Sequence, residues 1–250
     1  MTNGLRHVMT GLLLCAALLA NRTEATVVIN GTRVVYPAQE SEVTVGLQNV
    51  GNTPSLVQVW LDAGDEKSTP ESAKVPFTIT PPLFRLDADK SASVRMIYSK
   101  EPLPSDKESL FWLNVLEVPP KSANDGTKNM LEFAFRTRIK VLFRPAGLPG
   151  NAASAAHKLT WKLVDGEDGK GVALQAINPT PYYVNFAEVG LSVGERSVRT
   201  RGGGMVAPGS TAIFPIKELT SRPTGGEVKA QFNVISDYGA VSTIVQPLAP

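Results

Sequence analysis

Leu131-Glu132-Phe133-Ala134-Phe135-Arg136-Thr137-Arg138-Ile139-Lys140-Val141-Leu142-Phe143-Arg144-Pro145 is unusually long for a single strand. Side chains alternate along a strand with a period of two, so Leu131, Phe133 and Phe135 share one face while Glu132, Ala134 and Arg136 share the other. Ile139, Val141 and Phe143 keep the apolar parity after Thr137 interrupts it. The even face carries Arg138, Lys140 and Arg144 around Leu142. Pattern alone leaves two readings open: a core strand with a solvated basic face, or one strand that serves two environments.

Outward from this stretch, β-branched and aromatic runs recur between Pro, Gly, Asn and Asp, and no long amphipathic helix intervenes, which is the all-β pattern. The runs are 27–36, 42–50, 55–61, 77–80, 91–98, 110–118 and 130–143, enough strands for one sandwich. Arg144-Pro145-Ala146-Gly147-Leu148-Pro149-Gly150 cannot continue a ladder, because proline lacks the donor and glycine loosens the backbone. A second set follows at 158–164, 172–178, 182–193, 211–216, 227–236 and 240–245. Arg201-Gly202-Gly203-Gly204 and Pro208-Gly209 read as turns, since no strand-to-helix transition makes them a phosphate cradle.

At the start of the chain, Arg6 and His7 precede an uncharged apolar run from Val8 to Ala20, the layout of a secretory signal. The run is shorter than the roughly 20 residues of a membrane-spanning helix. Thr23 and Ala25 place cleavage after Ala25, with Ala20 as the alternative site. The expected organisation is a signal peptide at 1–25, one sandwich at 26–145 and a second at 146–250. Cys15 lies within the signal, so the mature chain has no disulfide and rests on burial. Without Arg6, Arg22 and Glu24 the charge totals become 23 basic and 22 acidic residues, a balance that points away from nucleic acid.

Catalysis finds little support. His157 is the sole histidine of the mature chain, and with no cysteine and no histidine pair a metal site has no ligands at suitable spacing. Glu40 with Glu42, and Asp87 with Asp89, are turn and surface carboxylates. No cofactor, no catalytic residue and no small-molecule substrate are expected. A generic secreted β-sandwich binder would share the fold and the export signal.

Several motifs together resemble one known family. They are Gly31-Thr32-Arg33-Val34-Val35-Tyr36-Pro37, Ile79-Thr80-Pro81-Pro82-Leu83-Phe84-Arg85-Leu86, and Glu108-Ser109-Leu110-Phe111-Trp112-Leu113-Asn114-Val115 ending in Pro119-Pro120. Thr137-Arg138-Ile139-Lys140 through Arg144-Pro145, Asn178-Pro179-Thr180-Pro181-Tyr182-Tyr183 and Asp237-Tyr238-Gly239-Ala240 complete the set. Their order resembles that of the periplasmic pilus chaperones of the chaperone–usher pathway, the PapD-like family, across nearly the whole mature chain. Phe133 and Phe135 stand where that family commonly has smaller aliphatics, and the second half matches more loosely.

The resemblance implies two immunoglobulin-like β-sandwich domains joined at an angle, in a boomerang or L shape. It implies a periplasmic chaperone that caps pilus subunits by donor-strand complementation and delivers them to an outer-membrane usher. Leu131, Phe133 and Phe135 would fill the subunit groove. Arg33 and Lys140 would hold the subunit's C-terminal carboxylate, and Glu108, Arg144 and Asp237 would form an interdomain salt-bridge network. The short polar connection at 120–129 resembles the subclass serving rod-like pili. Self-association through edge strands is open to the free protein.

Overall fold

The computed structural model describes residues 25–121, 133–166, 171–194, 196–200, 202–224 and 226–250. The first half contains β1 (Val27–Ile29), β2 (Arg33–Pro37), β3 (Glu42–Asn49), β4 (Ser55–Asp62), β5 (Phe77–Thr80), β6 (Leu83–Leu86), β7 (Ser91–Tyr98), β8 (Ser109–Val118) and β9 (Phe135–Arg144). They form a four-stranded sheet in the order β1-β3-β7-β5 and a five-stranded sheet in the order β2-β9-β8-β4-β6. Alternate residues of both sheets meet in one core, with Leu47, Val57, Val94, Met96, Leu113 and Val141 removed from solvent.

The run at 27–36, expected as one strand, is two strands in different sheets. Gly31 turns at φ 129° and the chain crosses from β3's flank to β9's flank between Ile29 and Arg33. Asn30 holds that crossing, its N–H donating to the Gly46 carbonyl at 2.9 Å. A side chain at Gly46 would collide with the Asn30 amide, only 2.6 Å from the Cβ position. β6 was hidden in the sequence because Pro81 and Pro82 precede it; among the described residues it pairs with β4 alone, at the sheet edge where proline is tolerated.

The second half opens with a short helix, α1 (Ala152–Ala155), capped by the Asn151 side chain accepting from the Ser154 N–H. Its strands are β10 (Thr160–Asp165), β11 (Val172–Ile177), β12 (Val184–Val193), β13 (Arg196–Arg199), β14 (Gly204–Val206), β15 (Thr211–Ile216), β16 (Val228–Ile235) and β17 (Val241–Pro247). One sheet runs β10-β11-β15 and the other β13-β12-β16-β17, with β14 also on β12. Trp161, Leu174, Val189, Leu191, Ala230 and Phe232 fill this second core, which shares no residue with the first. Gly204 belongs to a strand and not to a turn: a Cβ there would lie 2.6 Å from the Phe214 ring, and one at Gly203 2.1 Å from the Phe186 carbonyl. Close approach of an aromatic ring at Gly204 and of backbone at Gly203 selects these glycines, a use that composition cannot separate from a turn.

Tyr36 ties β2 into the first core. Its ring packs against Phe77 and Phe143 and is fully buried, while its hydroxyl donates to the Ser41 carbonyl at 3.0 Å and accepts from the Tyr98 N–H at 3.1 Å. Tyr36→Phe strands the Tyr98 N–H without a partner. The substitution should lower the unfolding free energy by about 1–3 kcal/mol, measured by urea titration of the isolated protein.

Candidate functional site

β9 is paired on both sides along only half of its length. β8 pairs antiparallel with 135–143, from Glu117↔Phe135 to Ser109↔Phe143. β2 covers the other side, in parallel, beginning at Arg33↔Lys140 and ending at Pro37↔Arg144. Among the described residues, nothing pairs with the second edge of 135–139. The crossing at Asn30–Thr32 vacates that lane by taking the chain into the opposite sheet.

The apolar face of β9 changes environment where its edge opens. Ile139, Val141 and Phe143 belong to the core, Phe135 is half-buried, and Phe133 just before the strand is 55% exposed. Leu131 lies outside the described residues, as do 122–130 of the connection read as a short loop. Of the two readings that pattern left open, a strand serving two environments describes the geometry.

The even face is a row of cations, and most have a partner. Arg136 donates to Asn114 Oδ1 from Nε at 2.9 Å and from NH2 at 2.7 Å, and stacks over Trp60. Arg138 binds the buried carboxylate of Asp62 at 2.5 Å and stacks over Trp112 with 4.3 Å to the ring centroid. Arg144 binds two acids. Lys140 and Arg33 bind none: among the described residues neither forms an ion pair.

Both unpaired cations are instead met by a single rung of the second domain. Lys140 Nζ donates to Asn185 Oδ1 at 2.5 Å, and Arg33 NH1 donates to the Ile235 carbonyl at 3.4 Å. Asn185 and Ile235 are direct partners across β12 and β16, as Arg33 and Lys140 are across β2 and β9. Arg33 Nε is buried with no acceptor. Burial, with the Arg33 charge second, pulls Lys140 down to about 8, and burial likewise lowers the Arg33 guanidinium against the opposing pull of Asp237. Two neighbouring cations, desolvated and short of acceptors, make a pocket that favours an anion.

Glu108, Arg144 and Asp237 lie together where the two domains touch. Arg144 Nε meets Glu108 Oε1 at 2.6 Å, and its two terminal nitrogens clamp the Asp237 carboxylate at 2.8 and 3.0 Å. The Glu108 side chain is wholly enclosed; its Oε2 accepts from the Tyr183 N–H at 2.7 Å and its own N–H donates to the Pro181 carbonyl at 2.9 Å. Asn178 shapes that turn by donating from Nδ2 to the Tyr182 carbonyl and accepting from Thr180. Burial pushes the Glu108 carboxyl up, against the Tyr183 N–H and Arg144. Burial works to lower Arg144, yet Asp237 and Glu108 outweigh it and hold its pKa above the ordinary guanidinium value. Beside the cluster, Gly239 turns at φ 82° with its Cβ position 2.8 Å from Thr32 Oγ1, so a side chain there would press on Thr32 across the domain junction.

Sequence reasoning passed over Asn185, Ile235, Trp112 and Asp62. Asn185 alone left a trace, as a lone amide inside the apolar run Val184-Asn185-Phe186. Asp62 ends β4 and reads as a strand terminus until its arginine is known. Ile235 acts through its carbonyl, which no side-chain pattern marks.

Fold and cleft together define a two-domain β-sandwich protein with an open strand edge that ends at a pair of buried cations where the domains meet. The chain matches the pili and flagellar-assembly chaperone PapD N-terminal domain over residues 26–149 and the pili assembly chaperone PapD C-terminal domain over residues 154–246. It is 43% identical over 220 residues to the probable fimbrial chaperone YadV of Escherichia coli K12, covering 86% of this chain and 87% of that one. The crystal structure of the Pseudomonas aeruginosa CupB2 chaperone superposes with a TM-score of 0.73 at 41% identity, over 89% of this chain and all of the other. The SafB chaperone of Salmonella enterica, solved in complex with the SafA pilin, superposes with a TM-score of 0.73 at 28% identity, over 91% of this chain and 99% of the other. The protein belongs to the pilus assembly chaperones, a family of chaperones and not of enzymes.

Arg144→Ala leaves the enclosed Glu108 carboxylate with the Tyr183 N–H as its one remaining hydrogen-bond donor among the described residues. It should cost about 3–5 kcal/mol of stability by urea unfolding, because removing one member of a buried pair strands the other charge. Adding Glu108→Gln to that variant should restore part of the loss.

Proposed function

We propose that this chain is a periplasmic chaperone that captures pilus subunits by lending them β9, and that it passes them to an outer-membrane usher. The observation that carries the reading is the coincidence of two features at one rung. The open edge of β9 ends at Lys140, and there the buried Arg33 Nε lacks an acceptor.

A guest strand entering the vacant lane would bond its main chain to 135–139, which is β-augmentation, of which chaperone–pilin pairing is a recognised instance. Its terminal carboxylate would sit between Arg33 and Lys140. From there the guest runs back along Ile139 toward Phe135, so it lies parallel to β9, as β2 does beyond the rung. Leu131, Phe133 and Phe135, at a spacing of two, would fill the guest's groove. Each large apolar side chain so buried contributes about 1.5–3 kcal/mol before the entropy of association is subtracted.

The anchor's work is register. A slip of one residue turns the plugging face away from the groove, so a fixed terminus selects which side chain meets which pocket. Glu108, Arg144 and Asp237 would hold the elbow, and with it the Asn185–Ile235 rung, since Asp237 follows Ile235 by two residues. The relatives named as fimbrial chaperones, and SafB solved with a pilin, support subunits as the partners. The secretory signal pattern and the family's compartment support the periplasm.

Arg33→Ala and Lys140→Ala should each weaken capture of a co-expressed subunit by about ten- to a hundredfold with melting temperature preserved, the loss of a charge-assisted bond of about 1.5–3 kcal/mol. Capture and protection from proteolysis at the wild-type level in both variants would overturn the anchor assignment. Capture should also depend on pH. Lys140 binds a carboxylate only when protonated, and burial sets its midpoint at about 8, so affinity is full below that pH and falls as pH rises through it. Lys140→Arg should flatten the fall, measured as subunit dissociation against pH.

A further inference from the structure

Glu117 on β8 is a buried carboxylate that has no cation partner among the described residues. It is 5% exposed and accepts from the Thr26 main-chain nitrogen at 2.9 Å, the Val27 N–H at 2.9 Å, Ser55 Oγ at 3.0 Å, and Thr26 Oγ1. Every one of these donors is neutral in the unprocessed chain. Among the described residues no lysine, arginine or histidine forms an ion pair with it. An ionised carboxylate withdrawn from water without a counter-charge is costly, and β8 carries this one into the seam between the two sheets.

Thr26 is held firmly against it. The Thr26 carbonyl accepts from the Val50 N–H at 2.8 Å, and the Thr26 side chain occupies space that only a glycine at 51 leaves, since a Cβ there would lie 2.7 Å from Thr26 Cβ. The nitrogen therefore has one position, and it points at Glu117. Thr26 is also the residue that follows Ala25, where the small-residue pattern of the leader independently places the cut.

We infer that removal of the signal peptide completes the first domain electrostatically: cleavage between Ala25 and Thr26 turns the Thr26 nitrogen into the counter-ion of Glu117. In the hydrolysis, carried out by a signal peptidase, water adds across the Ala25–Thr26 peptide bond. Ala25 leaves with the new carboxylate, and the Thr26 amine takes up a proton to become an ammonium. The neutral amide donor at 2.9 Å is thereby replaced by a charged one at the same place. Cleavage after Ala20 would leave Asn21–Ala25 attached and an uncharged amide facing Glu117, so the site of the cut decides whether the charge is met. β1, which starts at Val27 and pairs with β3, is then pinned across the sandwich to the opposite sheet.

The inference rests on the export proposed above, and its test is separable from it. Wild type and Glu117→Gln are purified from the periplasm, their intact masses are measured, and Thr26 is labelled with an amine-reactive reagent at neutral pH. The expected mature chain starts at Thr26, and its α-amine labels at least tenfold more slowly in wild type than in Glu117→Gln. Should the variant fail to accumulate, wild type unfolded in urea supplies the fast reference. A mature chain that starts elsewhere, or an α-amine that labels equally fast in folded wild type and in the reference, overturns the inference. Subunit capture by the same wild-type preparation is scored separately, so failure of the amine pairing and failure of the chaperone reading give different results.

Discussion

The parallel pairing of β2 with β9 begins at Arg33 and Lys140, and the rest of the site follows from where that pairing starts. Had β1 and β2 been one continuous strand, its N-terminal half would lie along 135–139 and satisfy that edge. The turn at Gly31 sends β1 into the other sheet instead, where it pairs with β3. An open edge is normally an aggregation liability that natural sheets suppress. Here the suppression is partial, with β2 shielding 140–144 and the cation row of Arg136 and Arg138 flanking the open part.

The same rung brings the second domain into the site. Arg33 and Lys140 contact one cross-strand pair of the second domain, and Asp237, held by Arg144, lies two residues beyond the end of β16. The Glu108–Arg144–Asp237 cluster and the Arg33–Lys140 rung therefore meet the same strand end of the second domain. The enclosed Glu108 carboxylate requires Arg144 in place, Arg144 positions Asp237, and Asp237 positions the strand end that meets Arg33. A second sandwich with its own core gives this arrangement a rigid support.

The sequence made much of this legible for a definite reason. Period-two alternation with Pro and Gly punctuation exposes strands that are buried on one face, so 42–50, 91–98, 172–178 and 211–216 match their strands closely. It fails where the backbone rather than the side chain decides. The sheet switch at Asn30–Thr32 is marked only by Asn30-Gly31 between two β-branched runs, β6 hides behind two prolines, and β14 hides in a glycine run. For the candidate site, Arg33, Lys140, Glu108, Arg144 and Asp237 carry charge and so drew notice through the motifs around them. That Arg136 and Arg138 have a carboxylate within reach while Arg33 and Lys140 form no ion pair depends on Asp62, which lies far from β9 along the chain.

The central claim is that a guest strand occupies the vacant lane beside 135–139 with its terminus at the Arg33–Lys140 rung. Amide hydrogen exchange of the mature protein, free and with a bound subunit, addresses it directly. The predicted result is new protection confined to the stretch preceding Lys140, with 140–144, already paired to β2, little changed. Protection appearing on another sheet edge while 135–139 continues to exchange as in the free protein would contradict it.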